Sequence, residues 1–493
     1  MLAIYKRELK SYFRSFIGFL FIAVTLFFLG LYFSVYNLMN GYPYFAYVVS
    51  SVTFLFMLTV PILTMRILAE EKRSKTDQLI LTAPVSVGGI VMGKFLALLT
   101  IFAIPVAIIC FYPLIMAQYG SVPMGEAYLS ILAYFLFGMT AIAIGLFLSS
   151  VTESQVIAAV LTFLVLFLGY MMDSICSIIS STGNLLTKLL RCFDLYTPFS
   201  NLLNGTLDVS SIVYYVSVTA LVLFLTVQSI QKRRYSMSVK NLSFSAYSTG
   251  MIAVAVALVV VVNIIMGEMP SSWTAIDMTS QKLYSLTDQT VDYVKNMQDD
   301  VTIYVLVNQD NQDTTLGQTL QRYDDLSDHI TVEYVDPTVN PMFYAQYTTG
   351  NISTNSLIVV SDKRSKVIDY NDVYESSYDF DYSTYSYNTT TTGYDGEGQI
   401  TSALDYVLND DMPKVYMTTG HNELSLSNTF TSALNKENVD YETVNLMDLD
   451  AIPDDAACLF INGATSDFSS DDKDKVIDYL NNGGKVILVT GYA

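Results

Sequence analysis

Apolar residues fill the first half of the chain in long, nearly uninterrupted runs, at about 17–39, 44–65, 90–116, 127–149, 154–172, 211–230 and 247–266. Each run has the roughly 20 residues that an α-helix needs to cross a hydrocarbon core, so the pattern predicts seven membrane helices. The first run is too long for a cleavable signal peptide and lacks a small-residue cleavage site.

Beyond Met266 the spacing of apolar positions changes. "DVTIYVLVN" alternates as a strand does, with Val301, Ile303, Val305 and Val307 on one face. "LGQTLQRYDDLSDH" reads as a helix, "ITVEYVDP" as a strand closed by Pro337, and "NSLIVVS" and "KVIDY" as two further strands. "GQITSALDYVLND" places Ile400, Leu404 and Val407 on one helical face. From "KVYMTTG" to "KVILVTG" the order is strand, helix, strand, strand, helix, strand. Strands separated by helices of this length predict a parallel sheet covered on both faces. The Tyr/Ser/Thr-rich stretch "YNDVYESSYDFDYSTYSYNTTTTGYDG" reads as a surface insertion or β-hairpin, or as a tyrosine-rich patch for sugar or peptide. The fold class is thus a membrane all-α bundle, six spans plus one further span, followed by an external α/β domain.

Charge sharpens this division. Through Met266 there are 15 Lys and Arg against 9 Asp and Glu, and from Gly267 onward 11 against 37. The net charges, +6 and −26, suit two different solvents, and the acidic half would repel nucleic acid. With the N-terminus inside, inner segments hold 13 basic residues, whereas the outer loops hold only Lys188 and Arg191. That bias predicts a cytoplasmic N-terminus, and seven spans then put residues 267–493 outside the cytoplasmic membrane.

Two stretches invite a chemical reading. The first is the inner loop "MRILAEEKRSKTDQLILTAPVSVGGIVMGKF", dense in both charge signs. It is either a solvated loop or a short amphipathic helix that docks a cytoplasmic partner. The second is "KVYMTTGHNE", where a strand ends at Gly420 and presents His421, Asn422 and Glu423. Ligands gather at the carboxyl ends of strands in open parallel sheets, so these three are candidates for ligand or partner contact; the alternative is a structural turn whose polar side chains cap the next helix. Catalysis finds no support. Cys458 lies in the apolar strand "AACLFING" rather than at a turn, no serine stands in a G-x-S-x-G elbow, and His421 with Glu423 falls short of a zinc ligand set. Cys176 and Cys192 share the outer loop, where an oxidising environment permits a disulfide. No G-x-x-x-x-G-K-[ST] loop occurs, so any ATPase must be a separate chain.

"YKRELKSYFRS", "EEKRSKTDQLILTAPVS" followed by "IVMGKF", and "GLFLSSVTESQVIAAVLTF" together resemble the six-span permease of type-2 ABC exporters. "PFSNLLNGTLDVSSIVYYVS" is similar to the gliding-motility and copper-maturation branch of that family. The resemblance implies that the charged loop after span two is the coupling helix that meets the ATPase, with Arg66, Glu70, Glu71, Lys72, Arg73, Thr76 and Asp77 at that contact. "DMTSQKLYSLTDQT", "VTIYVL", "VEYVDP", "GEGQITSALDYV" and "KVYMTTGHNE", in that order, resemble the GldG-like auxiliary domain of the gliding-motility transporter, whose second part has a flavodoxin or amidotransferase-like parallel sheet and is non-catalytic. Members of that family continue to a C-terminal span, so the end at Ala493 reads as a truncation or a missing second anchor.

These readings divide the chain into a permease at 1–235, a seventh span and linker at 236–269, an α/β subdomain at 270–410 and an amidotransferase-like subdomain at 411–493. The expected function is export by an ABC-type transporter of the cytoplasmic membrane. No cofactor or metal is expected in this chain, ATP and Mg being held by a cytoplasmic ATPase. The expected partners are that ATPase, membrane lipid, a second copy in a dimeric assembly, and an envelope protein or polysaccharide. The rival readings are a gliding-motility or envelope scaffold without transport, and a membrane-anchored hydrolase.

Overall fold

A computed structural model describes residues 1–78, 84–179, 187, 190–234, 242–267, 269, 274–280, 282–283, 285–308, 311–350, 352–381 and 386–490. The chain divides into two compact units, Met1–Ser285 and Leu286–Ala493.

The first unit opens with the amphipathic helix α1 (Leu2–Arg14), which ends where Ser15 adopts extended backbone and turns the chain into span one (Phe16–Met39). Span two is Ala46–Arg73, span three Val87–Met116, span four Met124–Val151, span six Val209–Lys232 and span seven Ser248–Gly267. The run predicted at 154–172 becomes two helices, Gln155–Tyr170 and Met172–Ile179, bent by 57°. Among the described residues six helices are therefore long and apolar enough to cross a membrane, and a seventh if the bent pair is one span. Span four is the hub, with 72% of its most apolar stretch buried, whereas that share is 0% for span seven. This contrast fits six bundled spans plus one further span. Cys176 is buried, its thiol donating to the Thr187 carbonyl at 3.8 Å, and no disulfide joins it to Cys192.

Around span four the core is aromatic. Phe56 lies 4.9 Å from Phe102 and 5.1 Å from Tyr134, measured between ring centroids. Gly145 lets span two approach closely, because a Cβ there would run into the Thr64 side chain. Thr64 is itself buried and donates to the Val60 carbonyl, so it has little room to yield. Gly145→Ala is expected to cost about 1–3 kcal/mol by overpacking, read as a lower unfolding midpoint in detergent; an unchanged midpoint would show that the helices part without penalty.

The first unit also holds a short antiparallel pair, β1 (Thr206–Asp208) with β2 (Ala275–Asp277). In the second unit, β3 (Val301–Val305), β4 (Ile330–Tyr334), β5 (Leu357–Ser361) and β6 (Ser365–Ile368) form a sheet in the order β4-β3-β5-β6. Only β3 and β4 are parallel; β5 runs antiparallel to β3, and β6 to β5. The expectation of a parallel sheet fails here, and for β6 the physical reason is the length of its connection. A parallel crossover needs a dozen or more residues, and only the short turn 362–364 separates β5 from β6, which closes as a hairpin. The Tyr/Ser/Thr-rich stretch forms a hairpin of β7 (Tyr374–Asp381) and β8 (Ser386–Tyr394), its tip at 382–385 lying outside the described residues.

The second sheet is wholly parallel, as expected. It has the order β10-β9-β11-β12, from β9 (Lys414–Thr419), β10 (Asp440–Asn445), β11 (Ala456–Asn462) and β12 (Val486–Val489). Helix α2 (Asn428–Lys436) joins β9 to β10 and α3 (Ser470–Asn481) joins β11 to β12, each N-capped by the serine before it, Ser427 and Ser469.

Candidate functional site

Basic and apolar positions alternate along α1 with helical spacing, so one face packs and the other stays wet. The packed face meets spans two and three. The buried Tyr12 hydroxyl donates to the Leu63 carbonyl at 2.9 Å, and the Tyr5 hydroxyl lies 3.1 Å from Thr100 Oγ1. Gly93 on span three makes this approach feasible, since a Cβ there would come within 3.1 Å of the Met1 carbonyl.

Span two does not run straight to its end. Its helix stops at Thr64, and a short helical turn, Ala69–Arg73, follows. Ser149 at the end of span four holds the break. Its Oγ accepts from the backbone N–H groups of Leu68 (3.2 Å) and Ala69 (3.1 Å), and it donates to the Met65 carbonyl at 3.1 Å. Lys72 reaches the same end of span four, donating to the Val151 carbonyl at 3.0 Å and pairing with Glu153 at 3.6 Å.

Beneath the turn lies a charged junction. Lys94 of span three is 0% exposed. Its Nζ lies 3.0 Å from Glu8 Oε1, 2.8 Å from Glu71 Oε2 and 3.0 Å from the Ile67 carbonyl. Arg7 pairs with Glu71 at 2.6 Å and also with Glu8. A cleft of about 250 Å³ opens beside this junction, lined by Arg7, Tyr12, Arg66, Glu70, Ser74 and Thr76.

The structure sorts the residues expected at the ATPase contact. Arg66 and Glu70 pair with each other one helical turn apart. Glu71 points inward to Lys94, and Lys72 turns back to span four. Arg73 and Thr76 are exposed, and Asp77 is half-buried. Residues 79–83 of this loop lie outside the described residues. Sequence reading did not single out Glu8 or Ser149, and it counted Lys94 only as inner-side charge. A glycine directly before a lone lysine in an apolar run was the available signal for Lys94, since a buried lysine needs a close partner.

The strand-end stretch has a different character. Gly420 takes φ +108°, where a Cβ would also press within 2.5 Å of Asn445 Oδ1. His421 then folds inward to 2% exposure and stacks on Phe468 at 4.1 Å. Its Nδ1 lies 3.6 Å from Glu423 Oε1 and its Nε2 3.3 Å from Asp472 Oδ2. Glu423 also accepts the His421 backbone N–H at 2.7 Å. It therefore ties its own turn rather than capping α2, which Ser427 caps. Asp472 is held below the usual carboxylate range, first by the Ser469 hydroxyl and then by the charges of Lys475 and His421. Only Asn422 of the three is exposed, its amide donating to Ser466 Oγ at 2.7 Å. Among the described residues no group of three or more His, Cys, Asp and Glu is arranged to hold a metal ion.

Six apolar helices of spanning length among the described residues, or seven with the bent pair, and an ion junction at the ends of spans two and three define a multi-pass membrane protein. Residues 5–265, more than half of the chain, match the family model described as ABC-2 family transporter protein, and the chain belongs to that family. It is the membrane component of a transporter, not itself an enzyme; it has no cofactor of its own, and the family implies a partner ATPase subunit. Residues 280–373 match a domain of unknown function, DUF7088. None of the curated proteins matches the chain.

Proposed function

We propose that the chain is the permease and extracytoplasmic auxiliary subunit of an ABC exporter in the cytoplasmic membrane, driven by a separate ATPase that docks on the turn after span two. The observation that carries this reading is the two-sided construction of that turn. Its rear is fastened to three helices through Ser149, Lys72 and Glu71, while Arg73 and Thr76 stay exposed. A merely solvated loop has no need of a fastened rear.

On this reading the permease occupies 1–235, the seventh span and linker 236–269, and the external α/β subdomains 270–410 and 411–493. The excess of basic residues on the side of α1 supports a cytoplasmic N-terminus. The order of motifs through "KVYMTTGHNE" supports a GldG-like auxiliary part, and a wholly parallel second sheet is consistent with it. A dimeric assembly within the lipid, and an envelope protein or polysaccharide as the outer partner, complete the proposal. His421 and Glu423 act there through the shape of the turn that carries Asn422, because their own side chains are buried.

The test is assembly with the partner ATPase subunit that the family implies. Arg73→Glu reverses an exposed charge and is expected to weaken the purified complex by about tenfold or more, roughly 1.4 kcal/mol, while the permease alone melts as the wild type does. Binding at wild-type strength would remove the turn from the interface.

A further inference from the structure

Lys94 stands out among the charged residues of the membrane unit. A buried ammonium is costly unless each of its three donors is met. Here all three are met, by Glu8 of α1, by Glu71 of the turn after span two, and by the Ile67 carbonyl at the break in span two. Arg7 balances the junction, so two cations face two carboxylates. The donor belongs to span three and the acceptors to elements 27 and 86 residues away in sequence.

A methionine at this position would fill similar space, and a buried ion group is often no more stabilising than apolar packing. What the ion group adds is directional connection. Each of its bonds has a defined partner and length, so the turn cannot slide on span three without breaking one.

We propose that Lys94 is a positioning residue that makes α1, the turn after span two and span three move as one body. A push on the exposed Arg73–Thr76 face is then delivered to the far end of span three. This rests on the reading of that face as the ATPase contact.

The test uses the full chain with its ATPase in lipid nanodiscs, the native cysteines replaced by alanine. Spin labels at Met39→Cys and Tyr119→Cys report on the far ends of spans one and three, where both side chains are exposed. In the wild type, ATP with vanadate is expected to change the distance between them. Lys94→Met alone leaves Glu8 and Glu71 facing a single cation, which also loosens the fold. The double variant Lys94→Met, Glu8→Gln restores charge balance through Arg7 and Glu71 and is expected to recover thermal stability. It is nevertheless expected to lose about half or more of the nucleotide-driven distance change. A double variant as stable as the wild type that keeps the full change would overturn the proposal and leave the transporter reading standing. A wild-type complex that shows no nucleotide-driven change would overturn both.

Discussion

Replacing Glu71 by alanine is expected to lower the stability of the membrane unit by about 3–5 kcal/mol, the range for breaking a buried ion pair from one side. Lys94 would keep Glu8 and the Ile67 carbonyl but would lose its shortest contact, the 2.8 Å pair with Glu71. Arg7 would lose one of its two carboxylates at the same time. The local charge would become +1, with Lys94 buried and Arg7 half-exposed at the cleft. Arg73, two residues along, is exposed, and its replacement by alanine should change stability by no more than about 0.5 kcal/mol. The two variants therefore separate folding from docking on one short turn. Thermal unfolding in detergent micelles reads the first and ATPase association the second. If Glu71→Ala melts with the wild type, Lys94 draws its compensation from elsewhere and the junction has been misassigned. Gln at the same position should be milder, because its amide oxygen can still accept from the ammonium.

The elements whose signal is local were legible before the structure. Runs of spanning length became helices at nearly the predicted bounds, because in lipid every backbone group must be satisfied within its own segment. The order of strands and helices from Lys414 to Val489 was legible for a similar reason, since alternation and capping serines act over a few residues. What was not legible depends on pairings distant in sequence. Nothing near Glu8 indicates that Lys94 will come within 3.0 Å of it. Nothing in "GHNE" indicates that Phe468 and Asp472 will bury His421. A polar tetrapeptide at a strand end reads as a surface, and the burial comes from α3 and the segment before it. The antiparallel placement of β5 was missed because its strand pattern is the same in either direction. The connection before it, residues 335–356, is long enough for either direction, and the short turn after it fixes only β6.

The acid response of the second sheet runs through Asp472, on which His421 is seated. Asp472 is held below the usual carboxylate value by Ser469, Lys475 and His421. A carboxyl with a depressed native pKa contributes stability that is fully present above its unfolded value, near 3.9. That contribution is lost as pH falls through the native value, because the unfolded chain takes up the proton first. The wild type should therefore weaken steadily as pH drops from about 5 toward the native value of Asp472. His421→Ala should flatten that slope without abolishing it, because Ser469 and Lys475 still hold Asp472 low. Removing the ring leaves a cavity beside Phe468 and takes away the group that stands between Glu423 and Asp472. At neutral pH the loss should be about 3–5 kcal/mol. Hydrogen exchange of peptides covering 411–490 in the full-length protein, followed from pH 7 to pH 4, reads both slopes. Parallel slopes for the two proteins would mean that His421 does not bridge the carboxylates and that the ring is held only by its stacking on Phe468. A flatter slope in the variant would identify the strand-end histidine as the bolt that joins the turn after β9 to the first turn of α3.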